Sequence, residues 1–315
     1  MKKRNAKIAI CALVLAVCLS ATVFALTACD ENNLLADYAE AQSNWYAAGN
    51  KVVCDTLTID GNLGGEDVKW PISLSLDGYR AYIGDEWRFE YDIVLGLSLR
   101  EGGSATNFDG SLSVARTADG IIDITLVIDI PLLGAQTVAF STDEATIRNY
   151  IPTFDFADNM YYDAEKISGS ADAYTISGAD CLAYVFYQLA PTLSNNFNFD
   201  MLPMLEKWLS IGDVTGTVSF ADGNFATATT HQSLSVFAPD EDLLFLAYNL
   251  DNFPDMLINL FENKKLSISV LNLDLTNAFK DGIALSATID SSAEYHLLGS
   301  DATFDSIKAT YGNVR

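Results

Sequence analysis

Basic side chains are scarce in this chain. It has 18 Lys and Arg against 42 Asp and Glu, a formal charge of −24. That balance repels phosphate backbones and excludes nucleic acid as a partner through the usual contacts. Histidine is scarcer still: His231 and His296 are the only two, and neither has a second histidine at ligand spacing, which argues against a zinc centre. Beyond residue 29 the cysteines are Cys54 and Cys181 alone, too few for a disulfide framework. One Cys54–Cys181 bridge or two isolated, buried thiols would each fit, and the thiols are preferred because Cys packs as a small hydrophobe. There is no Gly-x-Ser-x-Gly elbow for acyl transfer and no glycine-rich phosphate loop, so no cofactor is expected. The acidic runs Asp240-Glu241-Asp242 and Asp155–Asp158 lack the alternation of a calcium loop and read as helix capping and surface charge. A glycosidase-type carboxylate pair depends on distance in space, so a hydrolase stays open as an alternative.

What is present begins at the N-terminus. Lys2, Lys3, Arg4 and Lys7 form a basic start, and no charge follows from Ile8 to Leu26. A basic start, an apolar core and a small-residue end make an export signal. An uncleaved membrane anchor and a plain secretory signal are alternatives, because a core of this length also spans ~30 Å of hydrocarbon. The end of the segment, Leu26-Thr27-Ala28-Cys29, resembles the lipobox of bacterial lipoprotein precursors. The resemblance implies diacylglyceryl transfer to the Cys29 thiol, cleavage before it, and a lipid-anchored mature chain on the extracytoplasmic face of the cell membrane. Asp30 next to Cys29 implies inner-membrane retention in two-membrane envelopes and nothing in one-membrane ones. Two or more acyl chains anchor stably, each buried CH₂ contributing about 0.8 kcal/mol.

Removal of residues 1–28 takes away four basic groups and no acidic one, so the formal charge falls from −24 to −28. The 14 Tyr and 17 Phe, with abundant Leu and Ile, supply a large core. Residues 29–315 are expected to form a single extracytoplasmic domain, with helices near 32–48, 179–210 and 240–262. From Lys51 the apolar period is two: Leu57 and Ile59; Ile72, Leu74 and Leu76; Trp87, Phe89, Tyr91 and Ile93; Ile122 to Ile130. Such runs mark half-buried antiparallel strands. Asp-Gly pairs at 60–61, 77–78, 109–110, 119–120, 222–223 and 281–282 carry turn chemistry, and those at 119–120 and 222–223 lie between alternating runs and predict hairpins. The tail Ile307–Arg315 fits an edge strand.

The order of elements is one helix, many strands, late helices and more strands. It predicts an α+β, mainly antiparallel fold and resembles the curved half-barrels of the LolA and LppX/LprG-like lipoprotein carriers. That resemblance implies a curved sheet wrapped on helices, with lipid held between the layers. Between Lys207 and Lys264 no Lys or Arg occurs, so the late helices must bury their apolar faces against the sheet or a ligand. Leu182, Val185, Leu189, Leu205, Trp208, Leu246 and Leu250 are the expected lining of an apolar, lipid-like ligand site. The function expected is non-enzymatic binding by a membrane-anchored lipoprotein. The competing reading is a structural or adhesive surface protein without a cavity.

Overall fold

In the computed structural model of the chain, the period-two alternation beyond Lys51 becomes a ladder of long strands. The structure describes residues 34–65, 69–98, 105–130, 133–143, 145–146, 167–170, 173–182, 202–249, 267–268, 273–274 and 281–312. Helix α1 (Leu34–Ala47) leads into a meander of β1 (Asn50–Gly64), β2 (Lys69–Ile83), β3 (Glu86–Leu97), β4 (Thr106–Arg116), β5 (Ile121–Ile130) and β6 (Gly134–Asp143). Then come β7 (Ile167–Ser170), β8 (Ala173–Ile176), α2 (Leu202–Trp208), β9 (Leu209–Ile211), β10 (Val214–Ala221), β11 (Asn224–Pro239) and α3 (Asp240–Asn249). A small pair, β12 (Ser267–Ile268) and β13 (Leu273–Asp274), precedes β14 (Gly282–Leu297) and α4 (Phe304–Tyr311).

Twelve strands form one antiparallel sheet in the order β6-β5-β4-β3-β2-β1-β14-β11-β10-β8-β7, with β9 also on β11. The α+β class with a large antiparallel sheet flanked by helices is therefore observed. The curved half-barrel is not. The end strands β6 and β7 lie at opposite margins, and the sheet neither closes nor curls strongly. Alternation reports that a sheet has one apolar face; it does not report bending. Bending needs bulges and register shifts, and the described pairings contain one such shift, between Ser219 and Phe220.

Register sorts the side chains onto two faces. On the first, Leu57 lies opposite Leu76 and Leu76 opposite Ile93, while Phe89 meets Val114 and Val114 meets Ile124. These residues form one buried cluster with Tyr82, Trp87, Tyr91, Ile122 and Ile289. Helix α1 covers the β11 side of this face, where Tyr38, Ala41 and Trp45 pack on Val53, Val218, Phe225, Ala228 and Ala293. The Tyr38 and Phe225 rings are 5.4 Å apart and Trp45 meets Tyr295 edge-on at 5.3 Å. Buried Lys51 closes the end of α1: its Nζ donates to the Trp45 carbonyl at 2.7 Å and lies over the Trp45 ring.

The second face is polar, with Thr56, Thr58, Thr215, Thr217, Thr227, Thr229 and Ser292 exposed or half-buried along it. Helix α4 covers part of it. This corrects the edge strand expected from Ile307. Thr303 caps the helix with its hydroxyl on the Ser306 N–H, and the Ser306 hydroxyl accepts from the Thr303 N–H, a capping box. Phe304, Ile307 and Tyr311 then form a helical stripe on Val52, Tyr79 and Ala81. The turn at Asp222-Gly223 has positive φ at both residues, as a tight hairpin requires. The pairs at 60–61, 77–78 and 109–110 are instead interior to β1, β2 and β4. Gly78 serves there for close approach: a Cβ on it would stand 2.0 Å from the Glu90 carbonyl oxygen.

Candidate functional site

The apolar face carries two polar groups of residues that its pattern does not announce. The first is a buried charge cluster. Asp55 and Arg80 sit on the apolar phase of β1 and β2, with side chains 1% and 3% exposed, and Arg80 Nη2 lies 2.8 Å from Asp55 Oδ2. The Tyr91 hydroxyl donates to Asp55 Oδ1 at 2.8 Å. Burial pushes the Asp55 carboxyl above the usual carboxylate range, and Arg80 and Tyr91 pull against that rise. Burial works against the Arg80 charge, but Asp55 more than offsets it, and the guanidinium stays protonated. Sealed from solvent, the cluster is a structural element.

The second group lies on β11. Gln232 faces Ile289 across the ladder and Thr230 faces Ser291; Gln232 and Thr230 are each 5% exposed. The Thr230 and Ser291 hydroxyls satisfy each other at 2.6 Å. The Gln232 Nε2 is buried without a hydrogen-bond partner among the described residues. A buried donor left unmade costs about 1–3 kcal/mol. Next to it on the same face stands half-buried Leu234, which is packed against the main apolar cluster.

The expected lining residues divide. Leu205 and Trp208 lie half-buried on α2, which packs against β9 and β11. Trp208 Nε1 and Lys207 Nζ both donate to the Asp242 carboxylate at 2.8 Å, tying α2 to α3. These two donors hold Asp242 below the usual carboxylate range, burial opposing them. The acidic run at 240–242 is thus the first turn of α3, where negative charge suits the helix dipole. Leu182 is half-buried in a helical stretch described over 178–182, next to Cys181, which is buried against Tyr174, Ile176 and Val214 at the β8–β10 end. Cys29, Val185, Leu189 and Leu250 lie outside the described residues, as do the Leu246 side chain and Asp155–Asp158.

The polar face holds clefts of its own. One of about 550 Å³ lies beside α4, lined by Cys54, Asp77, Asp92, Glu294, Lys308 and Tyr311 among others. Two more, of about 830 and 560 Å³, are lined mainly by Ser, Thr and glycine. Asp77 and Asp92 are directly opposite on β2 and β3. Burial first, and then the Asp92 charge, raises the Asp77 carboxyl. Cys54 is pushed up to about 11 by burial and by Asp55, Glu294 and Asp77, so it is a thiol at neutral pH and a poor nucleophile. Cys54 and Cys181 are not joined in a disulfide. His231 Nδ1 lies 2.7 Å from Asp290 Oδ1 in the open, and His296 sits against the Tyr311 ring. Among the described residues no three His, Cys, Asp or Glu side chains converge as metal ligands.

Sequence reasoning missed Gln232 and the Asp55–Arg80 pair. The signal was phase: Asp55 and Arg80 are polar where the alternation of their strands demands an apolar residue, and Gln232 is polar opposite Ile289 on the apolar face. Comparison with family models, with curated proteins and with solved structures finds no match. None of the three links the chain to the carrier families or to lipoprotein precursors. A reading of function therefore rests on the chain's own residues.

Proposed function

We propose that this chain is an extracytoplasmic lipoprotein held to the membrane through Cys29, and that its domain binds an apolar, lipid-like ligand without a covalent step. The anchor rests on Leu26-Thr27-Ala28-Cys29 behind the basic, apolar leader. The observation that carries the binding reading is the Gln232 amide, set in the apolar face with no partner for its Nε2 among the described residues. An amide donor at that position suits one acceptor, a carbonyl or carboxylate oxygen, on an otherwise apolar molecule. On the same face, Leu234 on β11 and Ile59 on β1 are only partly buried, as are Leu74, Leu112 and Leu126 farther along the sheet, while the described helices α1, α2 and α3 pack mainly on β11 and its neighbours. Apolar area supplies the affinity at roughly 25 cal/mol per Å², and the amide orients the ligand.

Full-length protein, expressed in a bacterial host and purified in detergent, is extracted with organic solvent and the extract read by mass spectrometry. The stripped protein is then titrated with a fluorescent fatty acid. A co-purified amphiphile and saturable probe binding support the proposal. Gln232→Leu separates ligand from fold: it removes a buried unmade donor, so stability should hold or rise, while probe affinity falls. Unchanged affinity in that variant contradicts the role given to Gln232.

A second reading has its own observation. The three clefts described above all open on the hydroxyl-rich polar face. A structural or adhesive protein would use that face, and absence of lipid from the extract together with absence of probe binding would favour it.

A further inference from the structure

The margins of the sheet are unlike each other. At one end β7 is four residues long, a short edge of the kind that resists pairing. At the other end β6 runs for ten residues, and its ladder with β5 is regular from Ile121↔Asp143 to Ile130↔Gly134, without a bulge. Among the described residues no strand pairs on its outer side. Alternate residues of such an edge present both N–H and C=O outward. Natural edges are blunted by charge, proline or a bulge. From Gly134 to Thr142, β6 has no charged residue and no proline. It is exposed on both faces: Gln136 and Thr137 are exposed, Val138 is 38% exposed, and Leu133 in the preceding turn is 68% exposed.

We propose that β6 is a strand-pairing edge whose partner is a second copy of this chain, joined β6 to β6 about a two-fold axis. An antiparallel copy meets each outward donor with the acceptor of an identical strand, the self-complementary contact that a two-fold interface requires. Charge opposes a copy least in this register. The chain carries −24 overall, so most of its surface repels its own kind, and the uncharged seam along β6 does not. With the axis near Val138, the two Asp143 carboxylates lie at opposite ends of the seam, each across from Leu133. Val138 then meets Val138 on the apolar face, continuing the row Leu112, Leu126 and Val138 across the axis. The seam is short beside a standard interface of ~1,600 Å², so pairing is weak and follows protein concentration.

Sedimentation of the full chain in density-matched detergent tests this. Wild type should shift from the mass of one copy to that of two as concentration rises. Val138→Lys and Val138→Asp each place like charges across the axis, and each should sediment as one copy at every concentration. An equal mixture of the two variants should recover the doubled mass, because Lys then faces Asp. Circular dichroism should match wild type in both, since the position is exposed; if either melts early, Thr137→Lys and Thr137→Asp repeat the comparison from the opposite face of the strand. Wild type that stays at one copy overturns the proposal. So does a doubled mass in either variant alone, or a mixture of folded variants that fails to associate.

Discussion

Removing Arg80 should deepen the pH dependence that burial already gives the Asp55 carboxyl. Arg80 and Asp55 are almost wholly excluded from solvent, 2.8 Å apart, with Tyr91 as the remaining donor to the carboxylate. In Arg80→Met the counter-charge is lost and the burial that already raises Asp55 acts with less opposition. Breaking a buried pair from one side costs about 3–5 kcal/mol. The sign of the pH dependence follows from linkage. A folded-state value above the unfolded value, ~3.9 for Asp, means that the native state holds the proton more tightly. The stability tied to that proton is complete below the unfolded value and is lost as pH rises through the raised one. Between the two values the loss is ~1.4 kcal/mol per pH unit. Urea unfolding followed by tryptophan fluorescence from pH 4 to 8 should therefore show Arg80→Met converging on wild type in acid and falling away toward neutrality. The combined Asp55→Leu, Arg80→Met and Tyr91→Phe variant removes every polar member of the cluster and should recover most of the loss, with a flat profile. A pH-independent loss in Arg80→Met, or a combined variant as unstable as the sum of its parts, would refute the reasoning.

Three further outcomes are expected. Cys29→Ser should abolish lipid attachment, read as a mature chain of unmodified mass or a retained leader by intact mass spectrometry; a lipidated product would remove the anchor from the account. Alkylation of Cys54 in the folded protein should be slow at pH 8 and accelerate only toward pH about 11, since burial and three neighbouring carboxylates oppose the thiolate; fast labelling at pH 8 would contradict that environment. Ile307→Ala should cost about 2–4 kcal/mol in the same urea assay, because Ile307 is 2% exposed on the side of α4 that packs on the sheet, and Thr303→Ala about 1 kcal/mol through loss of the cap.

Local chemistry carried much of the fold. Leu57, Leu76 and Ile93, or Phe89, Val114 and Ile124, are separated widely in sequence, yet each obeys its own strand's alternation and the rows meet on one face. Asp222-Gly223 folds as its turn chemistry demands. The same dipeptide at 77–78 does not turn, because Asp77 occupies the polar face while Gly78 admits the Glu90 carbonyl, a close approach set by the neighbouring strand. The position of β14 beside β1 is a pairing across more than 200 residues, and alternation holds no information about it. The tail was misread because Phe304, Ile307 and Tyr311 are few enough to fit either period; the decisive signal was Thr303 with Ser306. Leu205 and Trp208 were legible as part of an apolar helical stripe, and the structure places both on α2. Gln232 was not, since one amide among threonines and serines reads as ordinary strand surface until the phase is set by Ile289 opposite.

The central claim is that the apolar face of the sheet holds an amphiphile whose acceptor meets Gln232. Its most direct test is titration of solvent-stripped, full-length protein with a fluorescent fatty acid, wild type beside Leu205→Trp and Gln232→Leu, with urea stability measured on the same samples. The account expects saturable binding by wild type, weakened in both variants, with stability little changed by Leu205→Trp and held or raised by Gln232→Leu. Absence of saturable binding by folded wild type, or binding unaltered in folded Gln232→Leu, would contradict it.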